Sequence, residues 1–500
     1  MQGTYRCLRG FGPIFAVSLA LSLFPTLAAR ASTGGFVTGV LPPPPPGSTT
    51  TFNAASEPAI RSDPAGNFYI SSENSIGSGT DAWRSSNGGV SYVSLPQPNS
   101  ISSVSGTTGL APGGGDTDLA TATAKDPSGN YNLYVASLTV GSVTVSLSQD
   151  RGSSWTNDAL SATVPADDRE WIAAYGASTY YLSYHNIASG NQIVVNEGSA
   201  SSGTPVSVQT YSAITDPQIL AGDTLGNELG NIAVDPKTGD VYQVFVGCPP
   251  GVQGVVNCQA LNVAYMAVGT PTGVTAGGLP LLSFTDHVIY TDPHPSQGLD
   301  NNFPNVAVDR AGNVYASWSN DRAVFVADST DHGSTWTKPV KVNSGSATTA
   351  IYPWLAAGSA GKVDLVYYGT PAQENFQTCS TSSPSDPCQT EPWYVFMAQN
   401  LKVLSGGSWT QSKVTPVVHY GGVCQGGISC SSSGNDNRDL FDDFGVAADP
   451  LTGFASIAYS DDQHSDIVGT ADSGLCASSD TNQIQCDHTD FATQISGKGI

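Results

Sequence analysis

Charge is scarce in this 500-residue chain, and what there is runs one way. Only 12% of residues are Asp, Glu, Lys or Arg, with 41 acids against 18 bases. So acidic a balance argues against nucleic acid or an anionic membrane as partner, because the surface repels phosphate. Methionine falls to 3 residues, and no stretch carries a convincing helical period. Beyond the N-terminus no apolar run is long enough to span a bilayer. A helical bundle and a membrane-inserted chain are both disfavoured. No Cys-x-x-Cys with accompanying His spacing occurs, which speaks against structural zinc.

What is abundant is the chemistry of turns and short strands: 55 Gly, 32 Pro and 20 Tyr. A strand–turn–strand phrase recurs, clearest at Ala59 to Tyr69 around Asp63-Pro64-Ala65-Gly66, at Asn231 to Tyr242 around Asp235-Pro236, and at Asn305 to Tyr315 around Asp309 and Gly312. Asp before Pro and Gly between β-rich runs is a hairpin signal, since Asp bonds its own turn and Gly takes positive φ. Looser copies begin near Asp118, Trp171, Trp354 and Phe444. That makes seven units spaced by roughly 50 to 90 residues, the long period of a propeller. The expected fold is all-β: a β-propeller of four-stranded antiparallel blades, seven in number, with six the alternative count. Length alone would suggest two or three domains, but the repeat runs without a linker-like break.

Two octapeptides punctuate the repeat: Ser148-Gln149-Asp150-Arg151-Gly152-Ser153-Ser154-Trp155 and Ser329-Thr330-Asp331-His332-Gly333-Ser334-Thr335-Trp336. Ser85 to Tyr92 is a softened copy, and Thr470 to Gly474 another without its aromatic. Ser148, Asp150, Gly152 and Trp155, like Ser329, Asp331, Gly333 and Trp336, have a structural logic: Asp ties its turn, Gly supplies positive φ, and Trp tucks under a neighbouring blade. The pattern matches the Asp-box, and the chain resembles the secreted sialidase-like (BNR-repeat) β-propellers. That resemblance implies an active site on the face opposite the Asp-boxes, where the inner strands begin and the second-to-third-strand loops lie. It also implies three arginines clamping a substrate carboxylate, a Tyr nucleophile with its Glu, an Asp acid/base, and Arg-Ile-Pro opening the first inner strand. Here Ser56-Glu57-Pro58 stands at that opening, so the first clamp arginine is missing.

Candidate site residues follow from placing the acidic segments on that face. Asp168-Arg169-Glu170-Trp171 and Arg438 to Asp443 are the densest runs before converging inner strands. Asp168, Glu170 and Asp443 are the catalytic candidates. Arg169, Trp171, Arg322, Tyr352, Arg438 and Asp442 are the ligand-binding ones, and Arg169, Arg322 and Arg438 are the only rim arginines. The ligand expected is an extracellular glycan or protein, bound without catalysis or cleaved as a glycoside by rim carboxylates. No cofactor is required; Ca2+ is the ion such acids could hold.

The ends and the cysteines point to export. Arg6 and Arg9 precede the apolar run Ile14 to Phe24, and Ala29-Arg30-Ala31 offers a cleavage site. Residues 1–31 thus read as a secretory signal, 32–52 as a Pro/Gly/Ser/Thr-rich linker, 53–490 as the propeller and 491–500 as a tail. Three of the 18 bases lie in the signal, which leaves 15 against 41 acids, a net charge of −26. The eight cysteines after Cys7 form neighbouring couples: Cys248 with Cys258, Cys379 with Cys388, Cys424 with Cys430 and Cys476 with Cys486. Local disulfides are expected, three of them stiffening the rim that carries the candidates.

Overall fold

In a computed structural model the chain forms seven antiparallel blades in a ring. The structure describes residues 30–31, 35–46, 48, 53, 56–74, 76–99, 113–162, 167–186, 192–222, 226–252, 258–373, 376, 390–427, 430, 438, 440–463 and 488–500. The inner strands of blades one to seven are Ser56–Ser62, Thr117–Lys125, Asp167–Tyr175, Glu228–Val234, Asn301–Val308, Thr349–Ala357 and Gly445–Ala448. Among the described residues helix is confined to short pieces, such as the six-residue Pro217–Gly222.

Burial follows position within a blade. The second strands Val241–Gly247, Val363–Thr370 and Ala455–Asp461 are buried at every residue, because each is covered on both faces by the adjoining blades. The outer strand Val206–Ser212 alternates exposed and half-buried instead. Between blades the inner strands are pinned by recurring side-chain bridges. Asp118 Oδ2 accepts the Ile172 N–H at 3.0 Å, Asn231 Oδ1 the Val306 N–H at 2.6 Å and Asn305 Oδ1 the Leu355 N–H at 2.7 Å.

The turns obey the sequence. Asp63 Oδ1 accepts the N–H groups of Ala65 and Asn67, Asp309 does the same for Ala311 and Asn313, and Gly66 and Gly312 sit at φ +87° and +95°. In both octapeptides the Ser hydroxyl takes the Gly N–H, while Asp binds the backbone and hydroxyl of the residue before Trp. Trp155 Nε1 donates across the blade boundary to the Pro96 carbonyl at 2.8 Å; Trp336 Nε1 donates to Gly333 within its own turn. The degenerate fourth copy, 470–474, lies outside the described residues.

Two segments that the sequence places outside the propeller contribute strands to it. Phe36–Val40 pairs with His488–Gln494 in the seventh blade, with Arg30–Ala31 beyond it, so the N-terminal side supplies the outer strand of the last blade. Residues 491–494 are the second half of the strand His488–Gln494, which also pairs with Ala455–Asp461, and Ile500 is buried against the same region of the disc. Joining the two ends of the chain in one sheet closes the ring without a covalent bond.

Candidate functional site: the axial mouth

The inner strands begin with a repeated irregularity. Register shifts fall between Ser56 and Ala59, Asp168 and Glu170, Leu229 and Ile232, Asn301 and Asn305, and Ile351 and Trp354. At or beside these starts Glu57, Arg169, Tyr352 and Phe441 hold left-handed φ of 49° to 55°. A bulge re-aims the side chain that follows it, and a left-handed non-glycine persists only where its surroundings over-determine it.

Glu57 and Arg169 are held by a set of ion pairs where the inner strands converge. Arg169, from blade three, donates from Nη1 to Glu57 Oε2 of blade one at 2.6 Å. The same Nη1 lies 3.4 Å from Asp116, which precedes blade two, and Nη2 lies 3.3 Å from Asp443, which precedes blade seven. Its guanidinium stacks 4.2 Å over the Phe303 ring of blade five. One side chain therefore touches five blades. Arg438 Nη2 reaches the other Glu57 oxygen at 3.1 Å and also pairs with Asp442.

Next to this cluster lies a group of packed aromatic rings. Trp171 packs 5.3 Å from Trp354 and 5.7 Å from Phe303, and Arg61 lies 5.0 Å over Trp354 while donating to Asp118 at 2.8 Å. Aromatic side chains thus pack directly against the charged cluster.

The carboxyl groups in it are driven apart in acidity. Burial alone would raise Glu57, but Arg169 and Arg438 outweigh it and hold this carboxyl below its ordinary value. Burial pushes Asp443 up to about 8 and Asp116 up to about 7 despite Arg169, with the Glu57 charge adding to both. Burial and Glu57 together bring Asp442 to about 6. Glu73, beside Ser56, is raised well above the carboxylate range by burial and by Glu57 and Asp116. Glu170 is raised as strongly, and both its oxygens are buried without a hydrogen-bond partner among the described residues. The side chains that still reach solvent include Asp116 at 20%, Asp442 at 11% and Arg438 at 25%.

Of the residues proposed from sequence, Arg169, Arg438, Asp442 and Asp443 come together. Tyr352 stands beside them, fully buried, its hydroxyl raised by burial and by Asp442. Glu170 lies at the cluster's edge, and Asp168 is exposed. Trp171 is buried among the aromatic rings, and Arg322 joins none of the ion pairs: its Nη1 donates to the Gln373 carbonyl at 2.6 Å. The residues sequence reading missed are Glu57, the anchor of the arginine pair, and Glu73.

The disulfides Cys248–Cys258 and Cys424–Cys430 are formed, with Cα separations of 5.7 and 5.9 Å. The couples Cys379/Cys388 and Cys476/Cys486 fall outside the described residues. Among those residues, no helix is long and apolar enough to cross a membrane.

Oxygens of Glu57, Glu73 and Asp116 lie within 4.8 Å of one another, a donor set of the type a hard cation such as Ca2+ takes. Both Glu57 oxygens already accept from guanidinium groups, and a cation there would face two fixed positive charges.

No family model matches the chain, and no curated protein matches it. Among solved structures it is similar to a PL25 ulvan lyase, with 11% identity over 84% of this chain and 91% of that one and a TM-score of 0.47. It is similar to an α-L-arabinofuranosidase from Fusarium graminearum held with an iminosugar inhibitor, with 10% identity, 91% and 96% coverage and a TM-score of 0.41. A Dyadobacter fermentans protein of unknown function is 11% identical over 92% and 98%, with a TM-score of 0.42. At this level of likeness none of them assigns an activity to this chain.

Proposed function

We propose that the protein is an extracellular, glycan-directed β-propeller whose sugar ligand enters the axial mouth. One observation carries the reading: Glu57, Asp116, Asp442 and Asp443 gather around Arg169 and Arg438 where the inner strands begin, so hydrogen-bond donors and acceptors stand side by side. Arg169 and Arg438 favour the charged form of Glu57, while burial raises Asp116 to about 7 and Asp443 to about 8. Sugar hydroxyls both donate and accept, so a mixed set of donors and acceptors suits them. The bonded disulfides and the signal-like N-terminus support placing the protein outside the cell.

Hydrolysis is a second reading, favoured by Asp116 and Asp442. Both reach solvent, and their midpoints of about 7 and about 6 suit proton delivery to a leaving glycosidic oxygen. A glycan array run beside chromogenic glycosides at pH 5 to 8 tests both. Array binding without turnover supports recognition alone, turnover lost in Asp116→Asn supports hydrolysis, and silence in both formats refutes a glycan role.

A further inference from the structure

We propose that Glu57 is a built-in occupant of the Arg169–Arg438 pair and sets the selectivity of the mouth against carboxylate-bearing sugars; the sugar class rests on the glycan reading above. Two guanidinium groups from different parts of the ring converge on the two oxygens of one carboxylate, at 2.6 and 3.1 Å. This is the arrangement that would otherwise recognise an acidic ligand. The remaining close partners of Arg169 are Asp116 and Asp443, both acids, so Arg169 turns no unopposed charge toward solvent.

The backbone is arranged to put the carboxylate there. Glu57 sits at φ +49°, a region costly for a side-chain-bearing residue. It also precedes Pro58, which steers its neighbour toward extended backbone. A bulge between Ser56 and Ala59 makes room. The ion pairs offset this local cost. A uronate or sialate would have to displace a tethered, already oriented carboxylate from the same N–H groups, a competition the internal group wins. A neutral sugar needs only the hydroxyl-binding groups at the surface of the cluster, Asp116 and Asp442 among them.

The test is chemical rescue. Glu57→Gly removes the carboxylate, and glycine suits the left-handed backbone. Thermal melts are run at pH 5 in sodium acetate and in sodium chloride of equal ionic strength. The expected result is a saturable rise of a few degrees in the melting temperature of the variant with acetate only, and no acetate effect on the wild type. Equal responses of the variant to both salts would overturn the proposal. If the variant does not fold, titration of the wild type with sodium glucuronate decides. No binding is expected, and saturable binding that disappears in Arg438→Ala would overturn the assignment. A negative glycan array would remove the sugar reading while leaving acetate rescue intact, so the two failures are separable.

Discussion

Arg169 and Glu57 stand 112 residues apart in the chain and close a 2.6 Å ion pair between blades three and one. Both are withdrawn from water, the Glu57 carboxyl fully and the Arg169 side chain to 9% exposure, and their remaining charge partners are members of the same cluster: Arg438 for Glu57, Asp116 and Asp443 for Arg169.

Removing Arg169 leaves Glu57 with Arg438 alone and takes the cation from Asp116 and Asp443, and breaking a buried pair in this way costs about 3–5 kcal/mol. Arg169→Ala should therefore lower the urea midpoint strongly. Arg322→Ala, whose guanidinium is exposed and joins no ion pair among the described residues, should stay within about 0.5 kcal/mol of wild type. Comparable losses in the two variants would contradict the five-blade role given to Arg169.

Stability should fall as pH rises from mildly acid to mildly alkaline. Burial raises Asp81 and Asp364 to about 7 each, with a Gln amide from Gln97 and Gln399 donating to their carboxyls. Asp443 reaches about 8. A carboxyl whose folded pKa is raised contributes stability that is fully present below its unfolded value of about 4 and is lost as pH climbs through the folded one. In the opposite direction Asp150, Asp309 and Asp331, lowered by their turn hydrogen bonds, contribute stability that is lost as pH falls below about 4. Melting temperature should peak near pH 4 to 5 and decline toward 8, and Asp364→Asn should flatten the decline. A profile rising from pH 5 to 8 would refute this.

Two glycines separate backbone conformation from packing. Gly129 at φ +88° has open space where a Cβ would go, so Gly129→Ala should cost only the left-handed penalty, about 1–2 kcal/mol. At Gly152, φ +85°, a Cβ would stand 2.4 Å from Leu95 Cδ1, so Gly152→Ala should cost about 1–3 kcal/mol more. Denaturant melts of the two variants give the difference directly.

The parts of this molecule legible in sequence are those whose interactions are local. Asp63, Asp150, Asp309 and Asp331 bind groups within four residues of themselves, so motif and geometry coincide, and the blade order follows from their spacing. The mouth was legible as a neighbourhood, because Arg169, Arg438, Asp442 and Asp443 precede inner strands that must converge. Its wiring was not. In the sequence Glu57 is only the neighbour of Ser56, where the clamp arginine is lacking, whereas its role depends on a left-handed backbone and on partners 112 and 381 residues away. Trp171 falls in the same acidic run as Arg169, yet strand alternation and the bulge beside Arg169 turn it into the aromatic packing. The strand Phe36–Val40 is hidden by the proline-rich stretch that follows it.

The binding contributions of the mouth should be uneven. Arg438→Ala removes a contact to Glu57 and to Asp442, so the Asp442 carboxyl, which that guanidinium lowers, should titrate higher in the variant. Carbon-13 NMR titration of the aspartate carboxyls reads this, and an unchanged Asp442 midpoint would contradict the pairing.

The central claim is that sugar binds where the acids meet. Its most direct test is titration calorimetry of wild type, the double variant Asp116→Asn with Asp442→Asn, and Arg322→Ala, using a neutral oligosaccharide identified on the array. Replacing two hydrogen-bonding carboxyls should weaken binding by about tenfold or more, whereas Arg322→Ala should bind as wild type does. Undiminished affinity in the double variant would place the ligand elsewhere and contradict the account.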